Sequence, residues 1–235
     1  MPLAPTSDRM PTGVPGLDRL VEGGFVRGSM YLIAGQTGTG KSIFSMQYLL
    51  EGLKRGESCV YLSLEQKVDE IIQDMKKFEW GDMIKKYYDS GKLLIASIEP
   101  SSMKELQDAS LAYISKVKAS RFVLDSLTVA ALGWKISSMD AGKVRSEVFS
   151  YLRSVENTGV TALLISEIPE GDVRRLSMFG FEEFVVDGVV VLHYLDYAAG
   201  GMPRNLMIRK MRRTSHGTDI YPFDIGRDGM VLKRD

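Results

Sequence analysis

Residues 35–42 constrain this chain more than any other stretch of its sequence. They read Gly-Gln-Thr-Gly-Thr-Gly-Lys-Ser, which fits the pattern G-x-x-x-x-G-K-S/T at every fixed position. An apolar, strand-like run over 30–34 precedes them, and a helical pattern over 43–50 follows. In this context glycines let successive backbone N–H groups turn toward phosphate oxygens, at the positive end of the following helix. The motif therefore predicts a site that binds a nucleotide triphosphate.

Two side chains of this loop have predicted roles at the phosphates. Lys41 has the reach and charge to contact the β- and γ-phosphates, which makes it a predicted catalytic residue as well as a binding one. The hydroxyl of Ser42 is expected to ligate Mg²⁺. The predicted ATP-binding residues of this segment are Gly38, Thr39, Gly40, Lys41, Ser42 and Ile43.

Length and charge favour some classes of protein and exclude others. A chain of 235 residues buries about 70–75% of the surface that its unfolded form exposes, enough for one large core. The 30 Lys and Arg residues balance the 30 Asp and Glu residues, so overall charge favours neither a nucleic-acid partner nor a membrane. No apolar run approaches the ~18 residues of a membrane span, and the first residues lack the form of a signal peptide. We therefore expect a cytoplasmic protein with no membrane partner.

Proline content predicts how the chain is divided. Residues 1–11 hold three prolines among small polar residues, which is typical of a flexible tail. Beyond them we find no repeat, low-complexity block or linker that would split the chain. We expect a flexible tail over 1–11 and a single domain over 12–235.

Short apolar segments rich in β-branched residues alternate with helical patterns. The predicted strands are 30–34, 58–64, 93–98, 121–125 and 160–166, and helices are predicted over 68–78, 102–118 and 140–157. Toward the C-terminus, strand-like segments with short connections follow one another at 189–195, 206–212, 220–225 and 230–232. The first pattern predicts a parallel sheet, and the second predicts antiparallel pairs added to one side of it. The predicted fold is α/β, with a central, mostly parallel sheet, helices on both faces and antiparallel C-terminal strands.

Carboxylates follow several predicted strands. Asp125 ends an apolar strand and would face the crevice at the carboxyl ends of parallel strands, where we expect it to hold Mg²⁺ with Ser42; a simple turn residue is the alternative. Glu65 is expected to orient and polarise the attacking water, although a strand-end Glu also caps helices. The pair Ser166–Glu167 either senses the γ-phosphate or begins a loop.

Further segments recur in an order found in one known family. They are residues 12–18 with Gly23 and Gly24, residues 37–45, residues 179–187, residues 210–216 and residues 221–223. With the loop and the carboxylates, they resemble RecA-type ATPases, and most closely the KaiC family and its single-domain archaeal and bacterial members. The resemblance runs from Pro11 to nearly the end of the chain. It implies about eight strands, with the strand ending at Ser166 between the loop strand and the Asp125 strand. It also implies a homo-oligomeric ring, commonly a hexamer, with ATP at each subunit interface.

The same resemblance gives a role to the basic segment near the C-terminus. Lys210 and Arg212 match a Lys-x-Arg that reaches the neighbouring subunit's phosphates, so both are predicted catalytic and ATP-binding residues. The resemblance implies nucleotide contacts for Met211, Thr214 and His216 as well. Because strand side chains alternate, Lys210 and Arg212 are expected to project together, as suits an arginine finger. From the residues alone, charges that protect an edge strand from aggregation are the alternative.

The chain departs from the family pattern in three ways. Gln66 follows Glu65 where the family usually has a second Glu, and if that carboxylate is required, turnover is slow or absent. Arg213 stands where Gly is usual. The chain also lacks the second ATPase domain and the adjacent Ser-Thr phosphorylation site of the clock protein, so we expect neither a timekeeper nor an autokinase.

Two alternatives to an ATPase ring stay open at this point. The first resembles a RadA-type recombinase paralogue, in which ATP organises a ring or filament on single-stranded DNA. A loop with Arg174 and Arg175 near Phe179 and Phe181 favours it, whereas zero net charge opposes it. The second is an ATP-gated scaffold with little turnover that acts on a protein partner, which Gln66 favours.

Overall fold

Nine strands form one sheet in the part of the chain that this computed structural model describes, residues 8–132, 141–169, 176–178, 180–195 and 203–233. The strands are β1 (Arg9–Met10), β2 (Phe25–Val26), β3 (Met30–Gly35), β4 (Cys59–Ser63), β5 (Leu93–Ser97), β6 (Arg121–Asp125), β7 (Thr161–Glu167), β8 (Gly188–Tyr194), β9 (Arg204–Met211), β10 (Ile220–Gly226) and β11 (Gly229–Leu232). The helices are α1 (Lys41–Lys54), α2 (Val68–Met75), α3 (Gly81–Asp89), α4 (Met103–Val117), α5 (Leu127–Leu132), α6 (Ala141–Glu156) and α7 (Glu182–Val185). The large sheet has the order β11-β10-β9-β8-β3-β7-β6-β4-β5, and β1 pairs with β2 separately.

The central strands of the large sheet are parallel, and their order decides which residues meet. β3, which precedes the glycine-rich loop, lies between β8 and β7. β7 in turn lies between β3 and β6, and β4 lies between β6 and β5. This arrangement confirms the prediction that the strand containing Ser166 separates the loop strand from the Asp125 strand.

Apolar side chains cover both faces of the sheet. Along β3, Tyr31 and Ile33 belong to the apolar cluster that includes residues of α1, α2 and α3. Leu32 and Ala34, which point to the other face, belong to the cluster with residues of α4, α5 and α6. All four side chains are fully buried, as is typical of a parallel strand covered on both sides. β8, β9, β10 and β11 pair antiparallel at one side, so the predicted fold class is confirmed.

The helices differ from the predicted pattern in number and length. α3, α5 and α7 were not predicted. The predicted helix over 68–78 ends at Met75. Phe78 lies between α2 and α3 and stacks on Trp80, with ring centroids 4.7 Å apart. Phe78 is therefore a core residue outside a helix. Asp140, the first residue of the helix predicted over 140–157, lies outside the described residues, and α6 begins at Ala141. Within the described part of the chain, no helix is long and apolar enough to cross a lipid bilayer.

Arg9 and Met10 differ from the flexible tail that the sequence predicts. They pair with β2 as β1, and Met10 is 1% exposed. Nη2 of Arg9 donates to Oε2 of Glu22 at 2.7 Å and to the carbonyl oxygen of Arg213 at 3.0 Å. The composition of residues 1–11 does not reveal such distant partners, so the predicted flexible tail extends into β1. Residues 1–7 lie outside the described part.

Arg121 forms a buried polar centre at the start of β6. Its side chain is fully buried, and Nε donates to Oε2 of Glu57 at 2.6 Å. Nη1 donates to the carbonyl oxygens of Pro11 and Tyr48, each at 2.8 Å, and the guanidinium lies 4.5 Å from the centroid of the Tyr48 ring. The side chain thus joins the N-terminal segment, α1 and β6.

We expect Arg121→Met to lower the free energy of unfolding by about 3–5 kcal/mol, because it leaves Glu57 and two carbonyl groups without their buried donor. Denaturant titration followed by circular dichroism measures the change. Arg55→Met is the matched control, since Arg55 is exposed and forms an i,i+4 pair with Glu51; we expect a change below about 1 kcal/mol. Equal losses in the two variants would contradict the structural role of Arg121.

Candidate phosphate-binding site

The carboxyl ends of the parallel strands form one edge of the sheet, and several predicted site residues lie there. The glycine-rich loop follows β3, Glu65 follows β4, and Asp125 ends β6. Ser42, in the first turn of α1, donates its hydroxyl to Oδ2 of Asp125 at 3.0 Å. The structure therefore places the two predicted metal ligands in contact.

Two glycines turn the backbone of the loop. Gly38 has a φ of 77° and Gly40 a φ of 105°, in the left-handed region that favours glycine. A Cβ atom on Gly40 would lie 2.6 Å from Cδ1 of Ile225, so no side chain fits there without a shift. Thr39 is buried and donates its hydroxyl to the carbonyl oxygen of Gln36 at 2.8 Å. The loop thus has the curled form in which backbone N–H groups bind anions.

Lys41 bridges the loop. Its Nζ atom donates to the carbonyl oxygens of Gly35 at 2.9 Å and Gln36 at 3.0 Å. Burial lowers the pKa of Lys41, and nearby carboxylates, with Glu167 the strongest, oppose that shift. Glu167, at the end of β7, pairs with Gly35, the first residue of the loop. The ammonium group is placed to exchange two carbonyl oxygens for phosphate oxygens.

Asp125 is a nearly buried carboxylate, 8% exposed. Its Oδ2 atom accepts hydrogen bonds from the hydroxyl of Ser42 and the phenol of Tyr61. Burial raises the pKa of Asp125, and the hydrogen bond from Tyr61 opposes that rise. Burial also raises the pKa of Tyr61 well above its ordinary value, so the phenol stays neutral and donates. Hydroxyl and carboxylate oxygens are the ligands that Mg²⁺ takes in proteins, so Ser42 and Asp125 fit a magnesium ion.

Glu65 stands beside these ligands and faces solvent. Its Oε1 atom accepts from the hydroxyl of Ser126, the residue after Asp125, at 2.5 Å. The backbone N–H groups of Glu65 and Gln66 donate to Oγ of Ser63 at 3.2 Å and 2.9 Å, which holds the turn after β4. An exposed carboxylate in this position is suited to bind and polarise a water molecule.

Gln66 contacts an acidic side chain on α2. Its Nε2 atom donates to Oδ2 of Asp74 at 3.2 Å. A Glu at position 66 would bring two carboxylates together, which disfavours the charged form of both. An amide at position 66 therefore suits the neighbouring carboxylate of Asp74 better than a second Glu would.

Two tyrosines at this edge were not predicted from the sequence. Tyr61, in the middle of β4, contacts Asp125. Tyr194 ends β8 and donates its phenol to the carbonyl oxygen of Gly38 at 2.7 Å, while the guanidinium of Arg204 lies 5.5 Å from the centroid of its ring. Tyrosines in apolar strands are typical of a core, and no motif marks either one. Only the order of the strands brings Tyr61 to Asp125 and Tyr194 to the loop.

The basic segment at the end of β9 lies at the opposite edge of the sheet. β9 runs antiparallel to β8, and Lys210 pairs with Val189. The backbone N–H of Arg212 donates to the carbonyl oxygen of Asp187, just before β8, at 2.8 Å. Since β3, with six residues, spans about 20 Å, Arg212 and the loop of the same chain are separated by roughly that distance. The structure does not bring the predicted finger residues to the loop of their own chain.

Lys210 and Arg212 have different surroundings, although the sequence predicted that they project together. Nζ of Lys210 donates to the carbonyl oxygens of Glu183 at 2.9 Å and Val186 at 2.6 Å. The side chain of Arg212 is 52% exposed, with Nη1 3.8 Å from Oδ1 of Asp187. β9 ends one residue before Arg212, so the alternation of a strand does not extend to it. Burial lowers the pKa of Lys210, and the charge of Arg212 adds to this effect.

The other predicted nucleotide contacts lie at the end of β9 or in the connection to β10. Met211 is buried. The hydroxyl oxygen of Thr214 accepts from Nη1 of Arg9 at 2.6 Å, and Nδ1 of His216 lies 2.9 Å from the carbonyl oxygen of Gly217. All three are therefore grouped with the basic segment rather than with the loop of their own chain.

Arg213 occupies a backbone conformation that favours glycine. Its φ is 58°, in the left-handed region, which glycine adopts at lower cost than a residue with a side chain. Here Nη2 of Arg213 donates to the hydroxyl of Ser29 at 2.5 Å and lies 4.0 Å from Oδ1 of Asp187. The side chain is therefore bound by its own chain, beside β3.

The residues that favoured a DNA-binding loop fall largely outside the described part of the chain. Arg174, Arg175 and Phe179 are among these. Phe181 precedes α7 and packs, partly buried, against the apolar cluster that includes residues of α6. Its ring therefore contributes to the core.

Known proteins match nearly the whole chain. The family described as the KaiC ATPase matches residues 10–235. A UPF0273 protein of Pyrococcus furiosus is 31% identical over 246 residues, which cover 97% of this chain and 94% of the relative. The circadian clock protein KaiC3 of Synechocystis is 34% identical over 237 residues, 96% of this chain but 45% of the relative. The crystal structure of a KaiC-like protein from Pyrococcus horikoshii superposes with a TM-score of 0.86 and 32% identity, covering 99% of this chain and 100% of that one.

Proposed function

Because the chain belongs to the KaiC family of RecA-type ATPases, we propose that it binds and hydrolyses ATP with Mg²⁺ and works as a hexameric ring. The main support is the meeting of Lys41, Ser42, Asp125 and Glu65 at one edge of the sheet. A phosphate loop, a pair of metal ligands and a carboxylate for water are the parts that hydrolysis of a triphosphate requires.

Each of these residues has a distinct role in the proposed reaction. The N–H groups of the loop and the ammonium of Lys41 bind the phosphates. Ser42 and Asp125 would hold Mg²⁺, which would supply positive charge to the phosphoryl group being transferred. Glu65 orients the water whose oxygen bonds to the γ-phosphorus while the bond to the leaving oxygen of ADP breaks.

The position of the basic segment supports the ring. About 20 Å of sheet separates Arg212 from the loop of its own chain. If Arg212 contacts a phosphate group, the nucleotide is therefore one bound to the loop of another chain. Such a contact, between the basic segment of one chain and the loop of the next, is a heterologous interface. Repeated from chain to chain, it forms a ring when the rotations between successive subunits add up to a full turn. Arg212 is already exposed, whereas Lys210 joins it only by leaving the carbonyl groups of Glu183 and Val186.

We expect Lys41→Ala to weaken ATP binding by about 10–100-fold, since a hydrogen bond to a charged group contributes about 1.5–3 kcal/mol. Calorimetric titration with ATP in the presence of Mg²⁺ measures the change. Thermal unfolding without nucleotide should match that of the wild type, because Lys41 contacts loop carbonyls rather than the apolar core.

Lys54→Ala is the matched control for this test. Lys54 is exposed at the other end of α1, and its removal should leave ATP affinity within about twofold. A folded Lys41→Ala protein that binds ATP as tightly as the Lys54→Ala protein would contradict the proposed function.

A further inference from the structure

Tyr61 places a buried hydroxyl against the carboxylate of Asp125. Tyr61 is 1% exposed and lies in the middle of β4, opposite Val123 of β6. Asp125 follows two residues later on β6, so its side chain leaves the sheet on the same face as that of Val123. The phenol of Tyr61 donates to Oδ2 of Asp125. This contact belongs to the sheet itself, not to a mobile loop.

The same oxygen accepts a second hydrogen bond of a different kind. The hydroxyl of Ser42 donates to Oδ2 of Asp125 at 3.0 Å, but this hydroxyl is also the group proposed to bind the metal ion. A serine hydroxyl rotates freely about one bond. The phenol, in contrast, is held by a ring that packs within the core on the α1 side of the sheet. Tyr61 is therefore the donor that keeps its place when Ser42 turns toward a metal.

We propose that Tyr61 is a positioning residue for magnesium, which holds the carboxylate of Asp125 in the orientation that the metal requires. The inference rests on the proposed function. Residues that orient metal ligands through hydrogen bonds change metal affinity without touching the metal, and their removal typically weakens binding by about 10–100-fold. The effect expected of Tyr61 is therefore on the Mg²⁺ requirement and not on the nucleotide itself.

The test compares ATP binding with and without metal. We expect Tyr61→Phe to leave ATP affinity in EDTA within about twofold of the wild type. The Mg²⁺ concentration at which ATP affinity has risen half-way to its value at saturating Mg²⁺ should increase by about tenfold. Titrating Mg²⁺ at fixed ATP, with calorimetry or a fluorescent ATP analogue, measures both quantities without relying on turnover.

Tyr151→Phe is the matched control. Tyr151 is fully buried, and its phenol lies 3.1 Å from Oγ of Ser110, between α6 and α4. This variant removes a buried hydroxyl of the same kind away from the site, so the Mg²⁺ requirement should stay at the wild-type value. A second pair, Tyr61→Gln and Tyr61→Leu, replaces the ring by a side chain with and without a donor. We expect the Gln variant to need less Mg²⁺ than the Leu variant, and this comparison decides the matter should Tyr61→Phe not fold.

A double variant shows whether Tyr61 acts through Asp125. In an Asp125→Asn background, Tyr61→Phe should add less than about twofold to the Mg²⁺ requirement, because residues that act through one contact are not additive. An unchanged Mg²⁺ requirement in folded Tyr61→Phe would overturn the positioning role and leave the proposed function standing. A wild-type protein whose ATP binding gains nothing from Mg²⁺ would overturn both.

Discussion

Arg212→Ala is expected to lower ATP turnover by about 10³-fold or more, the effect of removing an arginine finger, while ATP binding persists. The reason is that the exposed guanidinium is proposed to stabilise charge on the γ-phosphate of a neighbouring chain. Arg55→Ala is the matched control, because its side chain is as exposed as that of Arg212, 52% in each case, and pairs with Glu51 at the end of α1. Steady-state phosphate release measures both variants, and similar rates in the two would contradict the finger.

A mixing experiment tests whether Arg212 acts on another chain. Arg212→Ala subunits keep an intact loop, and Lys41→Ala subunits keep an intact basic segment. If Arg212 acts in trans, an active interface needs the loop of an Arg212→Ala subunit and the finger of a Lys41→Ala subunit. Random assembly of equal amounts of the two variants places these together at about a quarter of the interfaces, so about a quarter of wild-type turnover should return. Native mass spectrometry verifies that the rings are mixed. Mixed rings without any recovery would show that Arg212 does not act as a finger on a neighbouring chain.

Glu65→Gln is expected to lower turnover by about 10²–10⁴-fold, the usual contribution of a general base, with ATP affinity within about threefold of the wild type. The amide oxygen of Gln still accepts the hydrogen bond from Ser126, so the turn after β4 should survive. What is lost is the negative charge that polarises water. Single-turnover hydrolysis and calorimetric ATP titration on the same preparation separate these two effects.

Glu99→Gln is the matched control for Glu65. Glu99 is exposed and follows β5, the strand beside β4, so it changes the same charge near the same edge of the sheet. Its turnover should equal that of the wild type. If the turnover of Glu65→Gln also equals that of the wild type, the base lies elsewhere. If the wild type itself does not turn ATP over, the result favours the ATP-gated scaffold.

The loop and the strand pattern could be predicted because their signals are contiguous. Gly38 and Gly40 have positive φ, a backbone conformation that glycine adopts at low cost. The glycines of the motif therefore indicate the backbone conformation of the loop. The predicted helix over 68–78 was too long because Phe78 is buried by stacking on Trp80, and burial at helical spacing does not require a helix. The N-terminal tail was too long for a related reason, since Arg9 has partners more than 200 residues away.

From the sequence alone come the loop, the alternation that makes a mostly parallel sheet, and a carboxylate at the end of a strand. Each depends on a run of neighbouring residues, whose spacing records the local backbone and the buried face. Only the tertiary structure decided that Tyr61 donates to Asp125, that Tyr194 reaches Gly38, and that Arg212 lies about 20 Å from its own loop. Those relations follow from strand order and direction, because periodicity says that a side chain is buried but not which strand lies beside it.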